Sequence, residues 1–247
     1  MLEVENLSKS FGSFRAVNQV AFGLREGEIL GLIGPNGSGK STIFNLISGA
    51  MRPSGGSIRF DGREIAGLPA HAVCRMRLAR TFQIPRPFHK LSLIDNVTLA
   101  AFYSQGGAIG RAEARKRAEG ALDMVGLPSA RETTEGLGAA ALKKLELARA
   151  LATAPRLLLA DESLGGLDHA EMEHAADMLE NIRSKLGITI IWVEHIMGVL
   201  MRVVDRVIVL DHGEKIYEGA PEEAANDARV TEVYLGKGHG RQASGRC

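Results

Sequence analysis

The run Gly34-Pro35-Asn36-Gly37-Ser38-Gly39-Lys40-Ser41, followed by Thr42, fits the phosphate-loop spacing G-x-x-x-x-G-K-[ST] at every fixed position. It implies binding of a nucleoside triphosphate. Gly34, Gly37 and Gly39 let the backbone turn without side-chain clash, so that successive N–H groups and the next helix N-terminus face phosphate oxygens. Lys40 then reaches the β- and γ-phosphates, and the Ser41 hydroxyl binds Mg²⁺. A second group, Asp161-Glu162, follows the apolar run Leu157-Leu158-Leu159-Ala160. Adjacent carboxylates at the end of a buried strand are costly unless something positive uses them. Asp161 is suited to hold Mg²⁺ through water, and Glu162 to take a proton from an attacking water. His195 closes the run Ile188 to Val193; alone it reads as a satisfied structural histidine, and after a second buried parallel strand it is also a candidate for the γ-phosphate side. Phe11 either stacks on an adenine face or is an ordinary half-buried aromatic beside a turn glycine.

These residues need a scaffold, and the apolar pattern supplies one. Ile29-Leu30-Gly31-Leu32-Ile33 before the loop reads as a buried strand, and Thr42 to Ile47 after it as a helix. Residues 2 to 33 alternate short apolar runs with turn signals, which predicts a small antiparallel β layer beside the nucleotide core. Pro53 to Ser57 ends the loop helix, Ile58 to Gly62 reads as a strand with its turn, and Thr81-Phe82-Gln83 closes a further short strand. Pro85 and Pro87 break the pattern. From there to about Ala154 the chain reads as helical, over Ile94 to Tyr103, Arg111 to Val125 and Leu137 to Ala154. The Arg111 to Arg117 charge run is one solvated helix face. Arg156 to Glu162 and Ile188 to Val193 are strands around a helix from Glu171 to Leu186, and a hairpin turns at Asp211-His212-Gly213. The expected organisation is one unit over 1–236: an α/β core with its β layer in 1–83 and 155–236, a helical lobe in 84–154, and a disordered Gly/Ser/Arg-rich tail in 237–247.

Composition narrows the function classes. Thirty basic against twenty-nine acidic residues give a formal charge of +1, which provides no electrostatic footprint for nucleic acid. No stretch approaches the roughly 18 to 20 consecutive apolar residues of a spanning helix, and MLEVENLSKS has no signal-peptide core, so a soluble cytoplasmic chain is expected. Cys74 and Cys247 are too few and too far apart for a disulfide framework or a zinc site.

Taken in order, these landmarks resemble the ATP-binding cassette family of transport ATPases from about Leu2 to Gly236. The resemblance implies a RecA-like P-loop core with an antiparallel β subdomain and an inserted α-helical subdomain, and hydrolysis of ATP with Mg²⁺. It implies that Phe11 is the adenine-stacking aromatic, Gly34 to Ser41 the Walker A loop, and Gln83 the Q-loop glutamine that senses Mg²⁺ and the membrane partner. By the same resemblance Asp161 is the Walker B aspartate, Glu162 the catalytic carboxylate, Asp168 the D-loop aspartate and His195 the switch histidine. Transmembrane permease subunits, a solute-binding protein acting through them, a peripheral position on the cytoplasmic side of the membrane and a second cassette are implied partners and setting. Ala79 to Gln83, Val193-Glu194-His195 and Val233 to Gly236 are similar to importers of the branched-chain amino-acid type. An exporter of the lipopolysaccharide type shares much of the pattern; a nucleotide sensor with weak hydrolysis and a cassette acting on ribosomes or DNA are rivals from other classes. Ser163 and Ile196 replace the usual proline and aspartate. A larger departure lies at Leu137-Gly138-Ala139-Ala140-Ala141, where the family signature, normally Leu-Ser-Gly-Gly-Gln, has lost its serine, second glycine and glutamine. A heterodimer with a cassette that carries an intact signature is therefore expected.

Overall fold

Every residue of Ile29–Ile33, Leu157–Asp161 and Thr189–Val193 is buried. Strands covered on both faces belong to a parallel sheet between layers. A computed structural model describes residues 1–104, 106–128, 133–161, 169–194 and 197–235. Its elements are β1 (Leu2–Phe11), β2 (Phe14–Leu24), β3 (Ile29–Ile33), α1 (Lys40–Ile47), β4 (Gly55–Phe60), β5 (Arg63–Glu64), α2 (Ala70–Arg75), β6 (Leu78–Arg80), α3 (Leu93–Ser104), α4 (Arg111–Met124), α5 (Ala139–Ala152), β7 (Leu157–Asp161), α6 (His169–Leu186), β8 (Thr189–Val193), α7 (Met197–Val203), β9 (Arg206–Asp211), β10 (Glu214–Gly219), α8 (Pro221–Ala224) and α9 (Ala228–Leu235).

The larger sheet has the order β10-β9-β3-β8-β7-β6, with β10 antiparallel to β9 and the other pairs parallel. Strand alternation sorts its side chains to two cores. Ile29, Ile33, Leu158, Ala160, Ile190 and Trp192 join one buried cluster with residues of α3 to α7. Leu30, Leu32, Leu157, Leu159, Ile191 and Val193 join another with α1 and the second sheet. That second sheet is antiparallel, in the order β2-β1-β4-β5, and Leu2 pairs with Leu24 on one side and Phe60 on the other. This is the expected fold class.

α3, α4 and α5 pack mainly on one another, through small residues such as Ala101, Ala114 and Ala118 beside Leu93, Val97 and Leu145. Their bounds lie within two residues of the expected ones, and α4 begins at the expected Arg111. Several corrections concern strand ends: β4 begins at Gly55, three residues before the expected Ile58, and β8 at Thr189, one after the expected Ile188. Thr81-Phe82-Gln83 does not close β6, which stops at Arg80; the Thr81 N–H still reaches the Leu159 carbonyl at 2.9 Å, after which the chain leaves the sheet with Phe82 and Gln83 exposed. β7 begins at Leu157, one residue after the expected Arg156, and both N–H groups donate to the Arg77 carbonyl, at 2.7 Å from Arg156 and 3.3 Å from Leu157. α6 begins at His169, two residues before the expected Glu171. The short helices α2 and α7 had no expectation at all. The expected tail lies outside the described residues.

Candidate nucleotide site

β3 ends at Ile33 and α1 begins at Lys40, so residues 34–39 form the loop between a buried strand and a helix N-terminus. Two glycines are required there by space as well as by φ. A Cβ on Gly34 (φ +149°) would lie 2.2 Å from the Leu210 carbonyl oxygen, and one on Gly39 (φ +106°) 2.7 Å from that of Ala16. α1 has no side-chain cap and no acid in its first turn, which leaves the positive end of its dipole to an anion. Pro35 and Thr42 are half-buried, Asn36, Gly37 and Ser41 exposed, and Ser38 and Lys40 buried. Lys40 Nζ donates to the carbonyl oxygens of Gly34 at 2.8 Å and Pro35 at 2.9 Å, so the ammonium is held over its own loop.

Distant segments brace the loop. The N–H of Gly213, in the β9–β10 turn, donates to the Ser38 carbonyl at 3.1 Å, and the Asn18 N–H of β2 donates to the Gly213 carbonyl at 2.8 Å. From α9, the Tyr234 hydroxyl accepts the Gly34 N–H; burial raises its pKa above the usual phenol value, and that bond partly opposes the rise. A cavity of about 540 Å³ opens between Pro35 to Ser38, Asp211-His212 and α9, but Lys40, Ser41 and Asp161 are not in its lining.

Asp161 ends β7, with 4% of its surface exposed. Cross-strand register aligns it with Val193 on β8, which aligns with Leu32 on β3. Two strand spacings therefore separate the carboxylate's strand from the loop's strand, roughly 10 Å. Nη2 of Arg80 donates to Oδ2 of Asp161 at 2.7 Å, and the Asp161 N–H donates to Thr81 Oγ1 at 3.1 Å. Gln83 is two residues beyond Thr81 and exposed, on the segment that leaves the sheet beside Asp161. Sequence reasoning missed Arg80. The signal was a cation inside a strand pattern, three residues before Gln83.

Phe11 sits at the end of β1, paired across the hairpin with Phe14, and 48% exposed. Lys9 Nζ lies 5.1 Å from its ring centroid. The ring is thus at the surface of the antiparallel sheet, with a cation over it. Glu162, Asp168 and His195 lie outside the described residues, as do Ser163 and Ile196.

The altered signature falls at the start of α5. Gly138 is its N-cap in extended conformation, without a side-chain cap bond, and a Cβ there would meet nothing within 4 Å. On the segment that leaves β6, Phe82, Ile84 and Phe88 are exposed. Asn96, fully buried on α3 and missed from the sequence, grips the backbone of Phe88, Leu91 and Ser92.

Mg²⁺ takes hard oxygen donors and, beside phosphates, needs only one or two from protein while keeping several waters. The Ser41 hydroxyl and the Asp161 carboxylate fit that demand, and among the described residues no cluster of three or more His, Cys, Asp or Glu forms a dedicated metal cage.

Comparison with known proteins gives a consistent picture. The family model described as "ABC transporter" matches residues 17–165. A high-affinity branched-chain amino acid transport ATP-binding protein, BraF of Pseudomonas aeruginosa, is 33% identical over 250 residues, covering 96% of this chain and 98% of that protein. LivG of Salmonella typhimurium, with the same description, is 34% identical over 96% of this chain and 98% of its own length. The crystal structure of MJ1267, an ATP-binding cassette of an ABC transporter, in its ADP conformation has a TM-score of 0.85 at 26% identity, covering 96% of this chain and 99% of that one. The dimeric post-hydrolysis state of the cassette MJ0796 bound to ADP and Pi has a TM-score of 0.80 at 28% identity, over 90% of this chain and 99% of that one.

Proposed function

Because the chain belongs to the ABC transporter family, as an ATP-binding and ATP-hydrolysing subunit, we propose that it powers import of branched-chain amino acids or related small polar solutes. Likeness over nearly the whole length to two proteins described as branched-chain amino acid transport ATP-binding proteins supports the cargo class. In this reading it works with transmembrane permease subunits and pairs with a second cassette; the similar cassette MJ0796 is dimeric in its post-hydrolysis state. We infer a peripheral position on the cytoplasmic face and, through the permease, delivery from an extracytoplasmic solute-binding protein. No helix of the described residues is long and apolar enough to cross a membrane.

The observation that carries the catalytic reading is the loop between β3 and α1, set in one sheet with Asp161 at the end of β7. In the proposed reaction water attacks the γ-phosphorus, the bond to the bridging oxygen breaks, and ADP and inorganic phosphate leave. Lys40 and the N–H groups at the start of α1, from Gly39 to Thr42, bind the phosphates; Glu162 accepts the proton of the water; His195 and Gln83 line the γ-phosphate side; Phe11 carries the adenine. Mg²⁺, held by Ser41 and Asp161, would neutralise charge on the β- and γ-oxygens.

The second cassette is, in this reading, a different chain. A composite site takes a serine hydroxyl and helix N-terminal N–H groups from its neighbour's signature, and Gly138 offers no hydroxyl while Ala140 and Ala141 replace the second glycine and the glutamine. One competent and one impaired site follow. The test is purification of the chain from its native membrane. Permease subunits and a second cassette should co-purify, and reconstituted vesicles should take up branched-chain amino acids only with ATP. ATP hydrolysis by the chain with no membrane partner recovered would overturn the transport reading.

A further inference from the structure

We propose that Arg80 is a positioning residue of the nucleotide site, whose guanidinium fixes the Asp161 carboxylate relative to the phosphate-loop helix. The inference rests on the reading of Asp161 as the metal-side carboxylate. Nη2 of Arg80 donates to Asp161 Oδ2 at 2.7 Å, while Nη1 donates to Asn45 Oδ1 at 2.6 Å and Ser48 Oγ at 3.3 Å. Asn45 lies on α1 and Ser48 caps its C-terminus, so one planar group ties the helix that begins at Lys40 to the strand that ends at Asp161. The same guanidinium lies 5.7 Å from the Phe44 ring centroid and 5.1 Å from that of Phe82, a neighbour of Gln83. Loop helix, metal-side carboxylate and the segment leading to the helical lobe therefore meet on one side chain.

Stability alone does not explain such a pair. The two side chains are only 9% and 6% exposed, and Arg80 Nε is buried with no hydrogen-bond partner. Buried ion pairs of this kind can usually be replaced by apolar residues without loss of stability. An apolar replacement cannot hold a carboxylate oxygen in a fixed direction, and a ligand of Mg²⁺ must be so held because the ion demands near-octahedral geometry. A forked cation is needed, since the three acceptors lie on two elements and a lysine ammonium cannot present two donors in one rigid plane.

The test compares Arg80→Met, which keeps the apolar stem, and Arg80→Lys, which keeps the charge. Binding of a non-hydrolysable ATP analogue is measured by calorimetry with and without Mg²⁺, and Mn²⁺ in the complex is followed by electron paramagnetic resonance. Loss of an orienting partner of a metal ligand should lower metal affinity about 10- to 100-fold in Arg80→Met. Analogue affinity without metal should stay unchanged, the Mn²⁺ spectrum should alter, and Arg80→Lys should recover part of the loss. Unchanged metal affinity and spectrum in both variants, with only the unfolding temperature lowered, would make Arg80 a structural cross-link and overturn the proposal. So would a rise in metal affinity, which would mean that Arg80 competes with the ion. Should Arg80→Met not fold, the spectrum and metal affinity of Arg80→Lys decide. If the unaltered chain binds the analogue equally well with and without Mg²⁺, the metal reading of Asp161 itself fails, and this proposal with it.

Discussion

The Phe88 N–H donates to Asn96 Oδ1 at 2.8 Å, and Asn96 Nδ2 donates back to the Phe88 carbonyl at 3.1 Å. The same amide nitrogen also lies 3.3 Å from the Leu91 carbonyl and 3.0 Å from that of Ser92. One fully buried side chain thus holds the turn that displays Phe88 on the surface. Asn96→Ala takes the acceptor from the Phe88 N–H and a donor from the Leu91 carbonyl, and should lower stability by about 1 to 3 kcal/mol in urea unfolding. Phe88, exposed on the segment between Gln83 and the helical lobe, is expected to face the permease, so nucleotide affinity should persist while reconstituted transport falls relative to hydrolysis. An unchanged transport-to-hydrolysis ratio would separate Phe88 from coupling.

Lys40→Ala removes the ammonium that now bonds the Gly34 and Pro35 carbonyls. With charge-assisted bonds contributing roughly 1.5 to 3 kcal/mol each, the loss of ATP affinity should reach at least about tenfold to a hundredfold. Calorimetry at fixed Mg²⁺ reads this directly. Wild-type affinity in the variant would remove Lys40 from phosphate recognition.

The phosphate loop, β3 and β7 were legible because fixed spacings and short apolar runs are local signals. Arg80 and Asn96 were not, because their value comes from partners that tertiary packing brings near: Asp161 to one, the Phe88 backbone to the other. Thr81-Phe82-Gln83 carries high strand propensity, yet the chain leaves the sheet there for the helical lobe, so context overrode propensity. Nothing local announced that β8 inserts between β3 and β7, since strand order is a property of the whole sheet. α2 and α7 are too short for a 3.6-residue period to declare itself.

Gly138→Ser, Ala140→Gly and Ala141→Gln together should raise ATP hydrolysis in the assembled complex. Gly138 has open space for a side chain, so the serine enters without strain. Recovery of one hydrogen bond to a charged group, at roughly 1.5 to 3 kcal/mol, corresponds to about a tenfold to hundredfold gain at the affected site. A steady-state rate equal to that of the unaltered complex would show that the helix N-terminus suffices and that asymmetry is absent.

Glu146 predicts a pH dependence. Burial raises its pKa above the ordinary glutamate value, although the Arg149 ion pair at 2.7 Å pulls the other way. A folded state that holds the proton more tightly than the unfolded chain loses stability as pH rises from the ordinary glutamate range through the raised value. Glu146→Gln keeps an acceptor for Arg149 and removes the titration. Thermal midpoints of the variant should therefore gain on wild type as pH increases across that window and run parallel above it. Parallel curves throughout would show that Glu146 titrates normally.

The pairing of β3 with β8 on one edge and β9 on the other, together with the bond from Gly213 to Ser38, has a consequence for synthesis. The strand and loop that define the nucleotide site leave the ribosome early, but both neighbouring strands and the bracing turn come from residues 189–213. At about 5 to 20 residues per second, the nascent chain spends on the order of ten seconds or more with Ile29–Ile33 open on both edges. An apolar strand exposed for that long is a docking site for chaperones and for other nascent chains. A fragment released before β8 would carry the phosphate loop, Asp161 and the altered signature, and would still lack the strand that joins β3 to β7.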